Sequence, residues 1–212
     1  MWPRPVTDAV GRLLRLDDRL LWRMDASSNL GQVYLTFDDG PVPEVTPWVL
    51  DTLKGFGIKA TFFCIGGNIA ANPELFARIT QEGHGVGNHT WDHPDGWAID
   101  ARKYYRNVLA CQELTGTDLF RPPYGRISNR QLSALRKRFA VVMWDVLAYD
   151  FDDRYTDTSR VDEVVRQTRS GSIIVFHDSV KCADRMRRSM PVVVERLLAE
   201  GRTFGVLPSV RG

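Results

Sequence analysis

Short apolar runs alternate along the chain with segments whose apolar residues recur at helical spacing. Seven of these runs predict strands, at Gln32 to Phe37, Ala60 to Ile65, His84 to Asn88, Asp118 to Arg121, Ala140 to Asp145, Ser172 to Phe176 and Thr203 to Leu207. Strands that alternate with helices are typical of βα units. The pattern therefore predicts an α/β fold built on a parallel sheet or barrel.

Start and stop signals flank the predicted helices. A side-chain oxygen precedes the first turn at Thr46, Asn72 and Ser128. The stops are glycines: Gly57, Gly83 and Gly201. Before the first strand, one helical face carries Val10, Leu13, Leu14, Leu20, Leu21 and Met24. This face predicts an extra N-terminal helix that packs across the barrel.

The composition is that of a soluble globular protein, with 212 residues, 43% hydrophobic and 25% charged. We therefore expect a single domain, residues 1–212. The 28 basic and 26 acidic side chains leave a net charge of only +2, so we expect neither a nucleic-acid partner nor a charged membrane surface. Three separated cysteines without CxxC spacing predict free thiols.

The N-terminal segment lacks the uninterrupted apolar stretch of an export leader, because Asp8, Arg12 and Arg15 interrupt it. No segment approaches the ~20 apolar residues of a membrane span. We expect a cytoplasmic protein if Met1 is the native start. A trimmed leader or another export route, to the periplasm or outside the cell, is the alternative.

Unusual polar residues follow the predicted strands at their carboxyl ends. They are Asp38 and Asp39 after the first, His89 and His93 after the third, Arg121 after the fourth, Asp150 after the fifth and His177 after the sixth. In parallel βα folds the chemistry gathers at this edge. All seven side chains are therefore expected to share one site.

Asp38 and Asp39 stand in an Asp-Gly-Pro turn, which alone is ordinary turn chemistry. Two adjacent carboxylates repel, however, and persist more easily when a cation neutralises one of them and the other takes up a proton during turnover. His89 and His93 can share an ion if their segment coils into a single turn. Two imidazoles and one carboxylate form a common ligand set for a catalytic zinc ion with one position open to water.

Other residues have a chemical and an ordinary interpretation. His177 is a general acid or base candidate, since an imidazole titrates near pH ~6.5, or it is a hydrogen-bonded strand end. Two prolines could hold the Tyr124 N–H toward a reacting carbonyl, or Arg121 to Gly125 is a plain loop. Asp150 could orient a histidine or be only a loop carboxylate. Trp97 either stacks on a sugar ring or caps the core, and we expect His84 to be structural.

Five segments carry a resemblance to a known family: TFDDGP, HTWDHP, RPPYG, WDVLAYDF and IIVFHDS, between Val33 and Asp178. In this order and spacing they resemble the motifs of the polysaccharide deacetylases, the NodB-homology enzymes of carbohydrate esterase family four. The resemblance implies a distorted (β/α)7 TIM-like barrel, with the motif-bearing core at about residues 32–207.

The resemblance also implies roles for the edge residues. Asp38 would be the catalytic base, held by Arg121, and Asp150 would tune the general acid His177. The Tyr124 N–H would stabilise the oxyanion. One divalent ion, Zn²⁺ with Co²⁺ or Ni²⁺ as alternatives, would be bound by Asp39, His89 and His93.

Two positions depart from the family pattern. The residue after Asp150 is Phe151 where Trp is common, and Val175 stands where Leu is common. In the family these positions line the acetyl pocket, so the departures affect pocket shape and substrate preference.

The expected function is removal of N-acetyl groups from poly- or oligosaccharides containing N-acetylglucosamine, of the chitin or peptidoglycan type, with release of acetate. An O-acetyl esterase of the acetylxylan type or a small-amide deacylase could use the same residues. A non-catalytic carbohydrate-binding protein would have no use for Asp38 and His177 together.

Overall fold

The computed structural model describes residues 17–27 and 30–209. Its strands are β1 (Leu20–Leu21), β2 (Gln32–Asp38), β3 (Thr61–Cys64), β4 (Gly85–Asn88), β5 (Leu119–Phe120), β6 (Ala140–Val142), β7 (Val146–Leu147), β8 (Ile173–His177) and β9 (Thr203–Phe204). Its helices are α1 (Thr46–Gly55), α2 (Gly66–Ala71), α3 (Pro73–Gln81), α4 (Ala101–Thr115), α5 (Asn129–Leu135), α6 (Asp157–Gln167) and α7 (Ala183–Ala199). A 3₁₀ turn, Pro123–Gly125, follows β5.

The described strands form one parallel sheet in the order β1-β6-β5-β4-β3-β2-β8-β7, with β9 beside β2. The chain from residue 140 to 147 pairs with β5 through its first part and with β8 through its last part. This segment closes the sheet into a distorted barrel, and the predicted α/β barrel is confirmed.

The predicted strand from Ala140 to Asp145 is shorter in the structure: β6 ends at Val142, and a separate strand, β7, begins at Val146. Its ladder partner changes between Val142 and Val146, where the Met143 N–H donates to the Leu21 carbonyl and the Asp145 N–H to the Ile173 carbonyl. Hydrogen bonding to three different neighbours therefore interrupts the ladder, and the apolar pattern carries no sign of this change.

The predicted N-terminal helix is wrong where the structure describes it. Leu20 and Leu21 form β1 and pair with Val141 and Val142, because the open edge of β6 supplies backbone partners. Met24 donates its N–H to the Gly171 carbonyl, two residues before β8. The other members of the predicted face, Val10, Leu13 and Leu14, lie outside the described residues.

β2 and β8 run side by side with alternating faces. Val33, Leu35 and Phe37 join the apolar cluster that contains α1, α6 and α7 residues. The opposite face carries Tyr34, Thr36 and Asp38, paired in register with Ile173, Val175 and His177. The register places Asp38 beside His177 at the carboxyl end of the sheet.

Helix starts follow the predictions in part. Ser128 and Gln131 form a reciprocal capping box at α5. Asn72 stands at the N-cap of α3 without a side-chain cap bond, and Thr46 is the first residue of α1 rather than its cap. The three predicted stop glycines have left-handed backbone, with φ of 67° at Gly57, 79° at Gly83 and 78° at Gly201.

Cys64, Cys111 and Cys182 are buried free thiols, as expected. Among the described helices, none combines the length and apolar character that crossing a bilayer requires.

Candidate active site

A small cavity opens at the carboxyl ends of the strands. It is lined by Asp38, Asp39, His89, His93, Tyr124, Trp144, Leu147, Phe151, Val175 and His177. The cavity volume is about 30 Å³, and one water-sized group needs roughly 10 to 15 Å³ of such space. The cavity therefore has room for a group as small as an acetyl, and a sugar ring has to stay outside it.

Asp38 is held by a buried arginine. Arg121 Nη1 donates to Asp38 Oδ1 at 2.7 Å and to Thr36 Oγ1 at 2.8 Å, and Nη2 donates to the Met143 carbonyl at 3.0 Å. The Arg121 guanidinium also lies 4.0 Å from the centre of the Phe63 ring. Burial lowers the pKa of Arg121, and the Asp38 carboxylate opposes that shift. One oxygen of Asp38 is thus fixed by a cation, while Oδ2 lies 4.0 Å from His89 Nε2.

Asp39 faces two imidazoles. Its Oδ1 lies 3.6 Å from His89 Nε2 and 3.2 Å from His93 Nε2. Burial by itself raises the pKa of Asp39, but attraction to the His89 and His93 rings when these are protonated, together with the charge of His177, outweighs it and holds that pKa well below its usual range. The carboxylate is therefore ionised at neutral pH.

The donor set of Asp39, His89 and His93 fits a divalent metal ion. Asp39 Oδ1 is buried and has no hydrogen-bond partner among the described residues. Burying a carboxylate oxygen in this way costs free energy unless a cation acts as its partner. His89 Nδ1 lies 2.8 Å from the Arg121 carbonyl, which can only accept, so Nδ1 carries the proton and Nε2 keeps its lone pair. His93 Nδ1 contacts the Tyr124 hydroxyl at 3.1 Å, which leaves Nε2 toward Asp39. The three ligand atoms lie within 4.8 Å of one another.

A second group of candidate metal ligands also has its ligand atoms within 4.8 Å of one another: Asp150, His177 and Cys182. Both Asp150 oxygens already accept hydrogen bonds from His177, from Nδ1 at 2.8 Å and from the main-chain N–H at 2.7 Å. Burial raises the pKa of the Cys182 thiol, which disfavours the thiolate that a metal requires. The first group is therefore the better metal site.

His177 is oriented by Asp150 and stands beside Asp38 in the register of β8 with β2. Burial lowers its pKa, but the carboxylates of Asp150, Asp39 and Asp38 together outweigh this and raise it to about 9. The imidazolium form is thus favoured at neutral pH, with Nδ1–H directed at Asp150 and Nε2–H left for another partner. Such a group can donate a proton.

Strained backbone is concentrated around the cavity. The non-glycine residues with positive φ in the described chain are Asp39, Thr90, His93, Tyr124 and Tyr149. Each such residue costs roughly 1 to 3 kcal/mol and persists only where its surroundings hold it. Three of them line the cavity, and Thr90 and Tyr149 stand directly beside His89 and Asp150. The loops are therefore held in place by their contacts rather than by local preference.

The apolar wall contains both positions that depart from the family pattern. Phe151 stands edge-on to the His177 ring, with 5.5 Å between ring centres, and Val175 is buried on the inward face of β8. Trp97 is not part of this wall. Its ring is 50% exposed, with the Arg126 guanidinium 4.9 Å from its centre, so the structure excludes a core position.

Four residues that no sequence pattern singles out for a role belong to the site or its support. Trp144 and Leu147 line the cavity. Asn68 and Asp178 contact the backbone of the acidic turn. The position of Asp178, immediately after His177 at a strand end, was the available signal; Asn68 lies within a helix and gave none.

The sequence matches the family model described as polysaccharide deacetylase over residues 26–139. It is 34% identical over 197 residues to a peptidoglycan-N-acetylglucosamine deacetylase of Bacillus cereus, covering 86% of this chain and 69% of that protein. It is 41% identical over 155 residues to a chitooligosaccharide deacetylase of Sinorhizobium fredii, covering 69% of this chain and 71% of that protein. Some other curated relatives are longer, and the chain spans only 32% to 39% of their length.

The fold also matches solved structures. The peptidoglycan N-acetylglucosamine deacetylase Bc1960, solved with a naphthyl-substituted N-oxidanyl-benzamide, superposes with a TM-score of 0.83 at 30% identity. The match covers 90% of this chain and 91% of that one. The barrel and the carboxylates and imidazoles at its carboxyl edge agree with these matches. The chain belongs to the polysaccharide deacetylase family, whose relatives named above are deacetylases.

Proposed function

We propose that the protein removes the acetyl group from N-acetylglucosamine residues of a glycan, of the peptidoglycan or chitin-oligomer type, and releases acetate. One observation carries the proposal: three groups meet at a cavity of acetyl size. They are the ionised Asp39 facing two imidazole Nε2 atoms, the Asp38 carboxylate held by Arg121, and the His177 imidazole held by Asp150. The two named relatives act on such glycans.

Asp39, His89 and His93 are the residues that would hold one divalent ion, for which Zn²⁺ suits the nitrogen and oxygen donors. A bound ion supplies Lewis acidity, which polarises a carbonyl and lowers the pKa of a water. The remaining chemistry falls to side chains and backbone of the chain itself.

Asp38 is the proposed base. Arg121 occupies Oδ1, so the free Oδ2, on the side of His89, is the atom that takes the proton from the attacking water. The Arg121 cation also keeps Asp38 in one orientation, which a proton acceptor needs.

The Tyr124 N–H is the proposed donor to the developing oxyanion. Tyr124 has a φ of 59° inside the Pro123–Gly125 turn, and the Gly125 and Arg126 N–H groups are bound to the Pro122 and Pro123 carbonyls. A rigid donor of this kind contributes roughly a hundredfold in rate.

His177 is the proposed acid. As the imidazolium, with Nδ1–H on Asp150, it passes its Nε2 proton to the sugar nitrogen as the carbon–nitrogen bond breaks. The products are acetate and a glucosamine residue. Asp150 then faces a neutral imidazole until His177 regains a proton from solvent.

The test is acetate release from chitin oligomers, peptidoglycan and acetylxylan by the protein supplied with Zn²⁺. We expect acetate from the N-acetylated glycans, and a loss of at least about a hundredfold in Asp38→Asn. The matched control, Asp162→Asn, alters an exposed carboxylate paired with Arg196 and should keep full activity. Acetate from acetylxylan alone would make the protein an esterase, and acetate from none of them would overturn the proposed function.

A further inference from the structure

The turn that carries Asp39 is held by its main-chain groups. The Asp178 N–H donates to the Asp38 carbonyl at 3.0 Å, and Asn68 Nδ2 donates to the Asp39 carbonyl at 2.7 Å. The Gly40 N–H donates to Asp178 Oδ1 at 3.0 Å, and the Gly40 carbonyl accepts from the Ile65 N–H at 2.9 Å. Asp178 supplies two of these four hydrogen bonds.

The Asp178 carboxyl is fully buried and is not part of the cavity lining. Its second oxygen, Oδ2, accepts from the Thr46 hydroxyl at 2.6 Å, and Thr46 Oγ1 accepts from the Val42 N–H at 2.9 Å. Asp178 therefore ties β8 to both sides of the turn, before and after Pro41. The same residue links the turn to the first residue of α1.

Gly40 and Asp178 are also packed closely against each other. A Cβ atom added at Gly40 would lie 2.1 Å from Asp178 Oδ2, so the turn leaves no space between the two residues. Asp39 has a φ of 82°, which an aspartate adopts only when its neighbours hold it there. Without Asp178, the Gly40 N–H would lose its acceptor and the turn would be free to relax, moving the Asp39 carboxylate away from the two imidazoles.

We propose that Asp178 is a positioning residue, which fixes the acidic turn so that Asp39 Oδ1 meets His89 and His93 at the geometry a divalent ion requires. This inference rests on the proposed metal site. Residues that orient metal ligands typically change metal affinity by about 10- to 100-fold when they are removed. Asp178 acts through Asp39 and does not touch the substrate.

The test is the Zn²⁺ dissociation constant of the metal-free protein, measured by competition with a chromophoric chelator, with circular dichroism to verify the fold. Asp178→Leu keeps the volume but removes the acceptor, and should weaken Zn²⁺ binding by about 10- to 100-fold. Asp178→Asn can still accept from Gly40 and donate to Thr46, and should stay within about threefold of the unaltered protein.

The matched control lies at the other end of β8. Asp145 is also a buried carboxylate, and it accepts from the Ile173 N–H at 2.9 Å and the Ser172 hydroxyl at 3.1 Å. Asp145→Leu should lower stability but leave Zn²⁺ affinity within about threefold, because it does not contact the acidic turn.

A folded Asp178→Leu protein with unaltered Zn²⁺ affinity would overturn the inference. If that variant does not fold, Thr46→Val decides, since it removes the hydroxyl that fixes Asp178 Oδ2. We expect about three- to tenfold weaker binding, and unchanged binding would overturn the role of Asp178. An unaltered protein that binds no Zn²⁺ would instead remove the metal site on which the inference rests.

Discussion

Asp38 and Asp39 are neighbours in sequence but have different electrostatic partners. Asp38 is paired with the Arg121 guanidinium at 2.7 Å, whereas Asp39 faces imidazole nitrogens. Adjacent residues at a strand end point in opposite directions, and the turn at Asp39 modifies that direction further. In the proposed function, one carboxylate would serve proton transfer and the other would hold the ion.

His177 depends on Asp150 in both its orientation and its charge. Its pKa of about 9 results from burial, which lowers it, and from the carboxylates led by Asp150, which raise it more. An acid with a raised pKa stays protonated as pH increases, and loses its proton only as pH passes through that value.

We therefore expect Asp150→Asn to move the alkaline limb of the kcat/KM profile to lower pH by about 1 to 3 units, because the imidazolium loses its nearest opposite charge. Turnover should also fall by at least about tenfold, since an amide no longer selects the Nδ1–H tautomer. The measurement is kcat/KM against pH on an N-acetylated oligomer. Asp162→Asn serves as the control, and an alkaline limb that coincides with that of the unaltered protein would contradict the assignment.

Among the elements, strand register does most to assemble the site. The pairing of β2 with β8 places Asp38 opposite His177, and the end of β5 delivers Arg121 across the barrel interior to Asp38. A slip of one residue in β8 would turn His177 away from the cavity. The positions of these side chains therefore depend on the register of the sheet.

The loop between His93 and α4 supplies an exposed aromatic. The Trp97 N–H is bound to Asp95 Oδ1 at 2.9 Å, and its indole N–H reaches the Ile127 carbonyl at 3.4 Å. These bonds hold the ring in place while half of its surface stays open. A fixed, open indole suits stacking against the apolar face of a sugar.

We expect Trp97→Ala to raise KM about 3- to 10-fold for acetylated oligomers and far less for a monomeric acetylated sugar, because only an oligomer has a further sugar ring beyond the one whose acetyl group enters the cavity. Initial rates on both substrates give the comparison. Trp48→Ala, on helix α1, is the matched control and should leave both KM values unchanged. Equal increases on both substrates would deny Trp97 a subsite role.

At the scale of the whole molecule, stability should depend on a histidine outside the site. His84 Nδ1 accepts from the Ala60 N–H at 3.2 Å, and its ring packs edge-on against Phe62. Burial, and then the Lys59 charge, lower the pKa of His84 to about 4. The folded protein therefore favours the neutral ring.

The unfolded chain takes up this proton near pH 6.5, whereas the folded chain resists it until about pH 4. The contribution of His84 to the free energy of unfolding is therefore fully present above about pH 6.5. It falls as pH decreases toward 4, by about 2 kcal/mol between pH 7 and pH 5. His84→Asn keeps an acceptor for Ala60 and should lose about that much of the pH dependence. Urea unfolding at the two pH values measures it.

Phe62→Leu is the control for this prediction, because it disturbs the same packing without removing a titrating group. It should lower stability by a similar amount at both pH values. If His84→Asn and Phe62→Leu show the same pH dependence, His84 is not the group responsible.

The order of apolar and polar residues along the chain is enough to predict where the site lies. Alternating apolar runs predicted the βα order, and polar residues at strand ends predicted a shared edge, since parallel strands carry their carboxyl ends to one side. Asp38, Asp39, His89, His93, Arg121, Asp150 and His177 were all selected from that rule, and the structure brings them together at the predicted edge.

How those residues are held depends on contacts that no local pattern encodes. The strand from Ala140 divides because its backbone partners change, and Leu20 and Leu21 become a strand because β6 offers an open edge. Asp178, at the end of β8, and Asn68, in α2, both contact the acidic turn. These contacts join residues that are far apart in sequence. Local patterns report which face of an element is apolar. Backbone partners and long-range contacts depend on which elements become neighbours, and that is settled only when the whole chain packs.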